Sequence, residues 1–275
     1  MRNAEKVLSR KPKRWLINLF FGIALILALF ISFQGSTINL IRLASFRYAL
    51  RAMFNGFREI NVEFLLGFGT YRFEEGITYM AFQTLAIAFI GTFIGAILAL
   101  PISFLASERI VGKKAAKIGI TVITIIRVFP EVILALIILK AIGMNPLTCV
   151  IAIGIHSIGM LGRMFSESID NMDYSPIEAL DAVGANTWQK IRFGILPQVI
   201  PELASTTLYR FDINIRSASV LGVIGTLAGG FGALLLLAGS DPNNQWDTIA
   251  ALLVVIVIMV LIVDGVSAYL RKKLV

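Results

Sequence analysis

Long apolar runs without a single charged residue constrain this chain more than any other feature of its sequence. A helix of about 20 apolar residues is long enough to cross the ~30 Å hydrocarbon layer of a membrane. Four stretches reach that length without Asp, Glu, Lys or Arg: Leu16–Ile41, Gly76–Ser107, Ala141–Gly162 and Ser217–Ser240. We therefore predict an all-α polytopic membrane protein.

Two weaker stretches complete the set of expected spans. The stretch 118–139 is apolar apart from Arg127 and Glu131, and the run 248–263 is short but can extend to Tyr269. We expect about six transmembrane helices, of which the one around 119–142 has the weakest signal. A signal peptide is the alternative for the first run, but that run exceeds a usual signal core and lacks a clear cleavage site.

The composition excludes the common soluble classes. Hydrophobic residues make up 57% of the 275 residues and charged residues only 15%, whereas soluble domains carry about 25% charged residues. The single Cys149 excludes an internal disulfide framework. We expect no nucleic-acid partner, because the net charge of +8 is explained by membrane topology.

The positions of Lys and Arg predict the orientation. With six spans and a cytoplasmic N-terminus, 17 of the 25 basic residues fall on the inner side, in the tail, in the loops 106–118 and 163–210, and at the C-terminus. Cytoplasmic segments carry such an excess of positive charge. Both termini are therefore expected in the cytoplasm.

The outer segment 35–75 shows a helical pattern of its own. Apolar residues such as Phe46, Leu50 and Phe57 recur at helical spacing with arginines between them. This pattern indicates an amphipathic helix that lies on the outer membrane face or caps the bundle.

No catalytic or cofactor-binding pattern is visible. The chain has one His and one Cys, no metal-binding spacing and no phosphate-binding loop of the Gly-x-x-x-x-Gly-Lys-Ser/Thr type. We expect neither an active site nor a metal, nor a nucleotide bound by this chain itself.

The hydrophilic segment between the fourth and fifth runs is the most informative one. Ser175 and Pro176 are suited to the start of a short helix, and Gly184 to its end. Thr187 is expected to cap a second short helix that contains Trp188 and Phe193. A merely solvated connector would not need these aromatic residues, so the segment is interpreted as a docking element.

The same segment resembles a known signature. Glu178, Ala179, Gly184, Leu196 and Pro197 match the EAA motif of ABC importer permeases, whereas Leu180 and Gly194 stand where that pattern has Ala and Ile. The resemblance implies a type I ABC importer permease fold, in which residues 175–197 form coupling helices that contact an ATPase subunit.

Flanking segments narrow the resemblance to the phosphonate-type permeases of the PhnE family. They are the stretches 127–132, 155–159, 196–201 and 209–222. Members of that family take up phosphonate, phosphite or phosphate. Thr226 and Leu227 look like an insertion relative to the family.

The resemblance also implies the partners and the location. These are ABC ATPase subunits that bind ATP and Mg, an extracytoplasmic substrate-binding protein, and a second permease copy in the bacterial inner membrane. The chain would consist of a basic tail (1–14), a first transmembrane helix (15–34), the amphipathic segment (35–75), a five-helix permease core (76–270) and a basic end (271–275).

Polar residues within spans are candidates for a translocation pathway, because they are costly in hydrocarbon. The candidates are Arg127, Glu131, His156, Asn214 and Arg216. Their structural alternatives are ion pairs of Arg127 with Glu131 and of Asp212 with Arg216, four residues apart on a helix, and an interhelical hydrogen bond of His156.

Gly91 and Gly95 repeat at a spacing typical of close helix packing.

The alternative functions are an ABC importer permease for another small solute, an ion-coupled secondary transporter and a membrane enzyme. A secondary transporter would need inverted repeats and several buried acids, and a membrane enzyme would need a catalytic cluster, none of which the sequence offers.

Overall fold

The computed structural model describes residues 14–34, 40–69, 72–224, 230–240 and 245–274, which are helical with short connections and contain no strand. The chain divides into two compact units, Met1–Ala52 and Met53–Val275. In the first unit, α1 (Arg14–Gln34) exposes apolar side chains around its circumference, among them Trp15, Phe20 and Leu25. The next helix, α2 (Leu40–Gly56), contains the boundary between the units.

The second unit is built from ten helices within the described residues. They are α3 (Val62–Leu66), α4 (Ile77–Ala106), α5 (Glu108–Val128), α6 (Glu131–Ile142), α7 (Pro146–Asn171), α8 (Ser175–Ala182), α9 (Thr187–Gln189), α10 (Leu196–Ile224), α11 (Gly230–Ser240) and α12 (Trp246–Leu274). A 3₁₀ turn, Phe73–Glu75, precedes α4, and a π-helical turn, Lys190–Ile195, joins α9 to α10.

The all-helical membrane fold is confirmed. Within the described residues, α4, α7 and α12 are each long and apolar enough to cross a membrane, and α5 with α6 would make a fourth span. The number of six spans stays a prediction. So do the predicted domain boundaries, although α1 coincides with the expected first span.

Two predicted spans are not single helices. The stretch 118–139 breaks at Phe129 and Pro130, and α5 and α6 meet there at 80°. Proline removes a backbone donor and clashes with the preceding turn, which explains the break. The stretch 217–240 divides between α10 and α11, and Thr226 and Leu227 lie outside the described residues.

The start of α10 corrects the position of two arginines. Because α10 begins at Leu196, Arg210 lies in the middle of a helix and not in a cytoplasmic loop, and Arg216 lies eight residues before the helix end. The polar residues of this helix lower its hydropathy, but Arg210 and Asp212 are buried against other helices. The sequence pattern alone therefore did not predict that one helix runs from Leu196 to Ile224.

The most extensive helix contact in the second unit is between α4 and α7. A Cβ atom built on Gly91 would lie 2.9 Å from the Ile153 side chain, and one on Gly95 would lie 2.8 Å from the Gly154 carbonyl oxygen. These glycines let the two backbones approach one another. The α4–α7 pair is the scaffold on which α10 packs.

Candidate functional site

The segment 173–197 forms a compact helical element between α7 and α10. Asp173 accepts hydrogen bonds from the Ser175 backbone N–H (3.0 Å) and hydroxyl (2.7 Å), which lower the pKa of the Asp173 carboxyl group. Tyr174 stands at the cap position, and Ser175 is the first residue of α8 rather than its cap.

Glycine ends the first short helix at the predicted position. Gly184 has a φ of +76°, a left-handed conformation that side chains other than glycine rarely adopt. Its N–H donates to the Asp181 carbonyl, and the Ala185 N–H donates to the Leu180 carbonyl. The chain can therefore reverse direction immediately after α8.

The second short helix is capped by Asn186, not by Thr187 as expected. The Gln189 N–H donates to the Asn186 side chain (2.9 Å), and the Asn186 N–H donates to the Gln189 side chain (2.8 Å). This reciprocal pair satisfies helix-end donors that would otherwise lack partners. Lys190 adds an ion pair to Asp181 of α8 at 2.7 Å.

The inner side of the element is anchored in the helix bundle. Ile177 of α8 and Ile195 are buried in one cluster with Phe165 of α7 and Val199 of α10. Gly194 lies where the π-helical turn packs against α8, because a Cβ there would approach Ile177 at 3.1 Å and Leu180 at 3.2 Å. The buried contacts of the two short helices are therefore made with α7 and α10.

The outer side of the element is exposed and unusually apolar. The exposed fractions are 79% for Val183, 69% for Trp188 and 63% for Phe193. The motif residues Glu178, Ala179, Gly184 and Pro197 are exposed as well, and Leu196 is half-buried. We refer to this face, formed by residues 178–193, as the docking face. Large exposed apolar side chains that lie together are typical of a contact with a protein or with a membrane.

A second group of polar residues lies inside the bundle, centred on α10. Asp212 and Arg216 form the predicted ion pair, with 2.6 Å between Oδ2 and Nη2. Asn214 is fully buried, and its amide donates to Thr92 Oγ1 of α4 (2.7 Å) and to Ser157 Oγ of α7 (2.8 Å). Asn214 thus fastens three helices together.

Glu131 does not pair with Arg127, because the helix that would place them on one face is broken between them. Its Oε2 instead lies 4.0 Å from Nη2 of Arg210, which the sequence analysis missed. His156 is half-buried beside this pair, and its Nδ1 has no hydrogen-bond partner within the described residues. Arg127 is exposed, and its side chain lies against Gly159.

A cleft opens next to this polar cluster. It has a volume of about 310 Å³ and is lined by Glu131, Val132, Arg216, Ser217, Val220 and Leu221. The structure thus brings together Glu131 and Arg216 of the predicted pathway residues, whereas Asn214 lies in the contact of α4, α7 and α10. Within the described residues, no group of three potential metal ligands occurs.

Replacing Asn214 by Leu is expected to lower the thermal stability of the purified protein. The Thr92 and Ser157 hydroxyls each lose a buried donor, and an unsatisfied buried polar group costs ~1–3 kcal/mol. Thermal unfolding in detergent measures the effect. Adding Ser157→Ala should recover part of the loss, and equal stability of Asn214→Leu and wild type would contradict the assigned role.

Comparisons with known proteins show the family and the fold. The sequence profile described as "Binding-protein-dependent transport system inner membrane component" matches residues 91–275. The phosphite transport system permease protein PtxC of Stutzerimonas stutzeri is 38% identical over 191 residues, which are 69% of this chain and 68% of that protein.

The phosphate-import permease protein PhnE of Mycolicibacterium smegmatis is 35% identical over 198 residues, which are 71% of this chain but only 36% of that protein. Among solved structures, an inward-facing conformation of the MetNI methionine ABC transporter matches with a TM-score of 0.62 at 20% identity. The match covers 72% of this chain and 96% of the other.

Proposed function

This chain belongs to the family of binding-protein-dependent transport system inner membrane components, and on that basis we propose that it is the permease subunit of an ABC importer for a phosphorus oxyanion. The substrate would be phosphonate, phosphite or phosphate. Two relatives whose names specify phosphite and phosphate support this class of substrate, as do the residues that resemble phosphonate-type permeases.

The docking face is the observation that carries the proposal. Val183, Trp188 and Phe193 are exposed, while Ile177 and Ile195 fix the same element to the bundle. In our proposal the apolar face inserts into a groove of an ATPase subunit, which binds ATP and Mg. Glu178 contacts that subunit, and Gly184 permits the turn between the two short helices.

Force would pass from the ATPase to the substrate through α10. The π-helical turn leads directly from the docking face into α10, whose first residues are Leu196 and Pro197. The same helix carries Arg210, Asp212 and Arg216. Closure of two ATPase subunits would therefore shift the helix that holds the polar cluster. A second copy of the chain completes the pathway, and an extracytoplasmic binding protein delivers the substrate.

Arg127, Glu131, His156, Asn214 and Arg216 remain our proposed pathway residues. An anion that leaves water needs positive charge and hydrogen-bond donors, but too many of them would trap it. The cleft at Glu131 and Arg216 offers one half-exposed guanidinium already paired with Asp212. Such a partly neutralised arginine can bind an anion briefly without holding it.

Replacing Trp188 by Ala is expected to abolish co-purification of the ATPase with the permease, because an exposed aromatic anchor dominates a protein contact and its loss commonly costs ~2 kcal/mol or more. Affinity purification of the tagged permease from membranes that contain both subunits measures the effect. Trp15→Ala is the matched control, since Trp15 is similarly exposed on α1. Undiminished ATPase recovery with Trp188→Ala would refute the docking face.

The proposed transport activity has a direct test in proteoliposomes. We expect ATP-dependent uptake of at least one of phosphonate, phosphite and phosphate when permease, ATPase and binding protein are all present. Uptake by the chain without any ATPase, driven by an ion gradient, would instead establish the rival class of secondary transporter.

A further inference from the structure

Arg210 occupies an unusual position for a charged residue. Its side chain is only 6% exposed, and its Nε and Nη2 have no hydrogen-bond partner among the described residues. A buried charge in a membrane protein is costly unless it is closely paired. The nearest carboxylate, that of Glu131, is 4.0 Å away, which is the outer limit of an ion pair. Arg210 therefore keeps donors that the folded chain does not use.

Glu131 lies between Arg210 and the cleft. Its Oε2 faces the guanidinium of Arg210, its Oε1 is buried without a hydrogen bond, and the residue lines the cleft. The Glu131 carboxylate is thus contacted by Arg210 and, on the cleft side, by the Ser217 hydroxyl. If it moves aside, the cleft becomes continuous with Arg210.

Further donors surround the position of the Glu131 carboxylate. Glu131 is the first residue of α6, and the first N–H groups of a helix have no partner within the helix. The partial positive charge at that end favours an anion. Two elements, α6 and α10, therefore contribute groups that suit a single anion.

We infer that Arg210 is the residue that recognises the transported oxyanion, and that Glu131 is its resident counter-ion, displaced when the oxyanion enters from the cleft. The inference rests on the proposed function and assigns the substrate contact within it. A tetrahedral phosphorus oxyanion matches the guanidinium, which offers planar pairs of N–H donors to oxygens.

The displaced Glu131 carboxylate can be bound by other residues of the cleft. Arg216 and Ser217 line the same cleft and offer hydrogen-bond donors there. The exchange keeps Arg210 paired at every stage, by Glu131 before entry and by the oxyanion afterwards. A permanent high-affinity anion site would stop transport, whereas competition by Glu131 ensures release.

The test measures oxyanion binding by the purified permease–ATPase complex without its binding protein. Radiolabelled inorganic phosphate and methylphosphonate serve as probes in equilibrium dialysis. Glu131→Gln removes the competing charge and should tighten binding by about fivefold or more, because the bound state no longer has to displace a carboxylate. Adding Arg210→Gln should eliminate that gain, whereas Arg210→Lys should keep part of it.

The control variant is Glu202→Gln, which changes an exposed carboxylate on α10, the helix that also carries Arg210. It should leave oxyanion binding as in the wild type. Unchanged binding by Glu131→Gln, or tight binding that survives Arg210→Gln in the folded complex, would overturn the inference. Failure of wild-type permease, ATPase and binding protein together to import any of the three phosphorus oxyanions would refute the proposed substrate class instead, so the two failures are distinguishable.

Discussion

Replacing Gly95 by Leu is expected to abolish recovery of the folded permease. A Cβ atom at this position would lie 2.8 Å from the Gly154 carbonyl oxygen and 2.8 Å from Ser157 Cβ, both on α7. Extra carbon atoms in a packed contact cost ~1–3 kcal/mol even where side chains can adjust. Here the neighbour is backbone, so α4 and α7 would have to separate along their length.

The separation would also damage the polar site. Ser157 accepts the hydrogen bond from Asn214, so a shift of α7 away from α4 disconnects α10 from both helices. We expect loss of the monodisperse peak in detergent gel filtration and a strongly reduced amount of protein in the membrane. Gly265→Leu is the matched control, because Gly265 lies in α12 with nothing within 4 Å of an added Cβ. Normal yield of Gly95→Leu would show that the α4–α7 contact is not essential.

Local sequence chemistry predicted the two short helices and the glycine between them. Turns depend on a few neighbouring residues, and Gly184 ends α8 at the expected position because only glycine adopts its backbone conformation readily. Both predicted caps were wrong by one residue, since Tyr174 and Asn186 stand at the cap positions where Ser175 and Thr187 were expected. Which of two neighbouring residues stands at the cap is decided by backbone geometry.

The polar cluster was only partly predictable. Asp212 and Arg216 pair as expected, because four residues along one intact helix bring side chains together. The same argument failed for Arg127 and Glu131, where Pro130 ends the helix between them. Arg210 was assigned to a loop because hydropathy ignores pairing between helices, and its partner Glu131 lies 79 positions earlier in the sequence. A pairing at that separation is set by tertiary packing.

The two departures of this chain from the EAA pattern lie in contact with each other. Leu180 is larger than the Ala of the pattern and Gly194 is smaller than the Ile, and a Cβ at 194 would lie 3.2 Å from Leu180 Cδ1. Relative to the EAA pattern, the side-chain volume gained at Leu180 of α8 is therefore lost at Gly194 of the π-helical turn. Packed contacts tolerate exchanges that conserve total volume far better than single enlargements. The two substitutions are thus expected to compensate each other.

Gly194→Ile alone is expected to abolish ATP-dependent uptake, because the new side chain collides with Ile177 and Leu180 and forces α8 away from the π-helical turn. Adding Leu180→Ala should restore most of the activity, since it recreates the space that the family pattern provides. Leu180→Ala alone leaves a cavity and should cost about 2–3 kcal/mol of local stability, with partial loss of uptake. Uptake and ATPase co-purification of the three variants form a double-mutant cycle. If the double variant were no more active than Gly194→Ile, volume compensation at the docking element would be refuted.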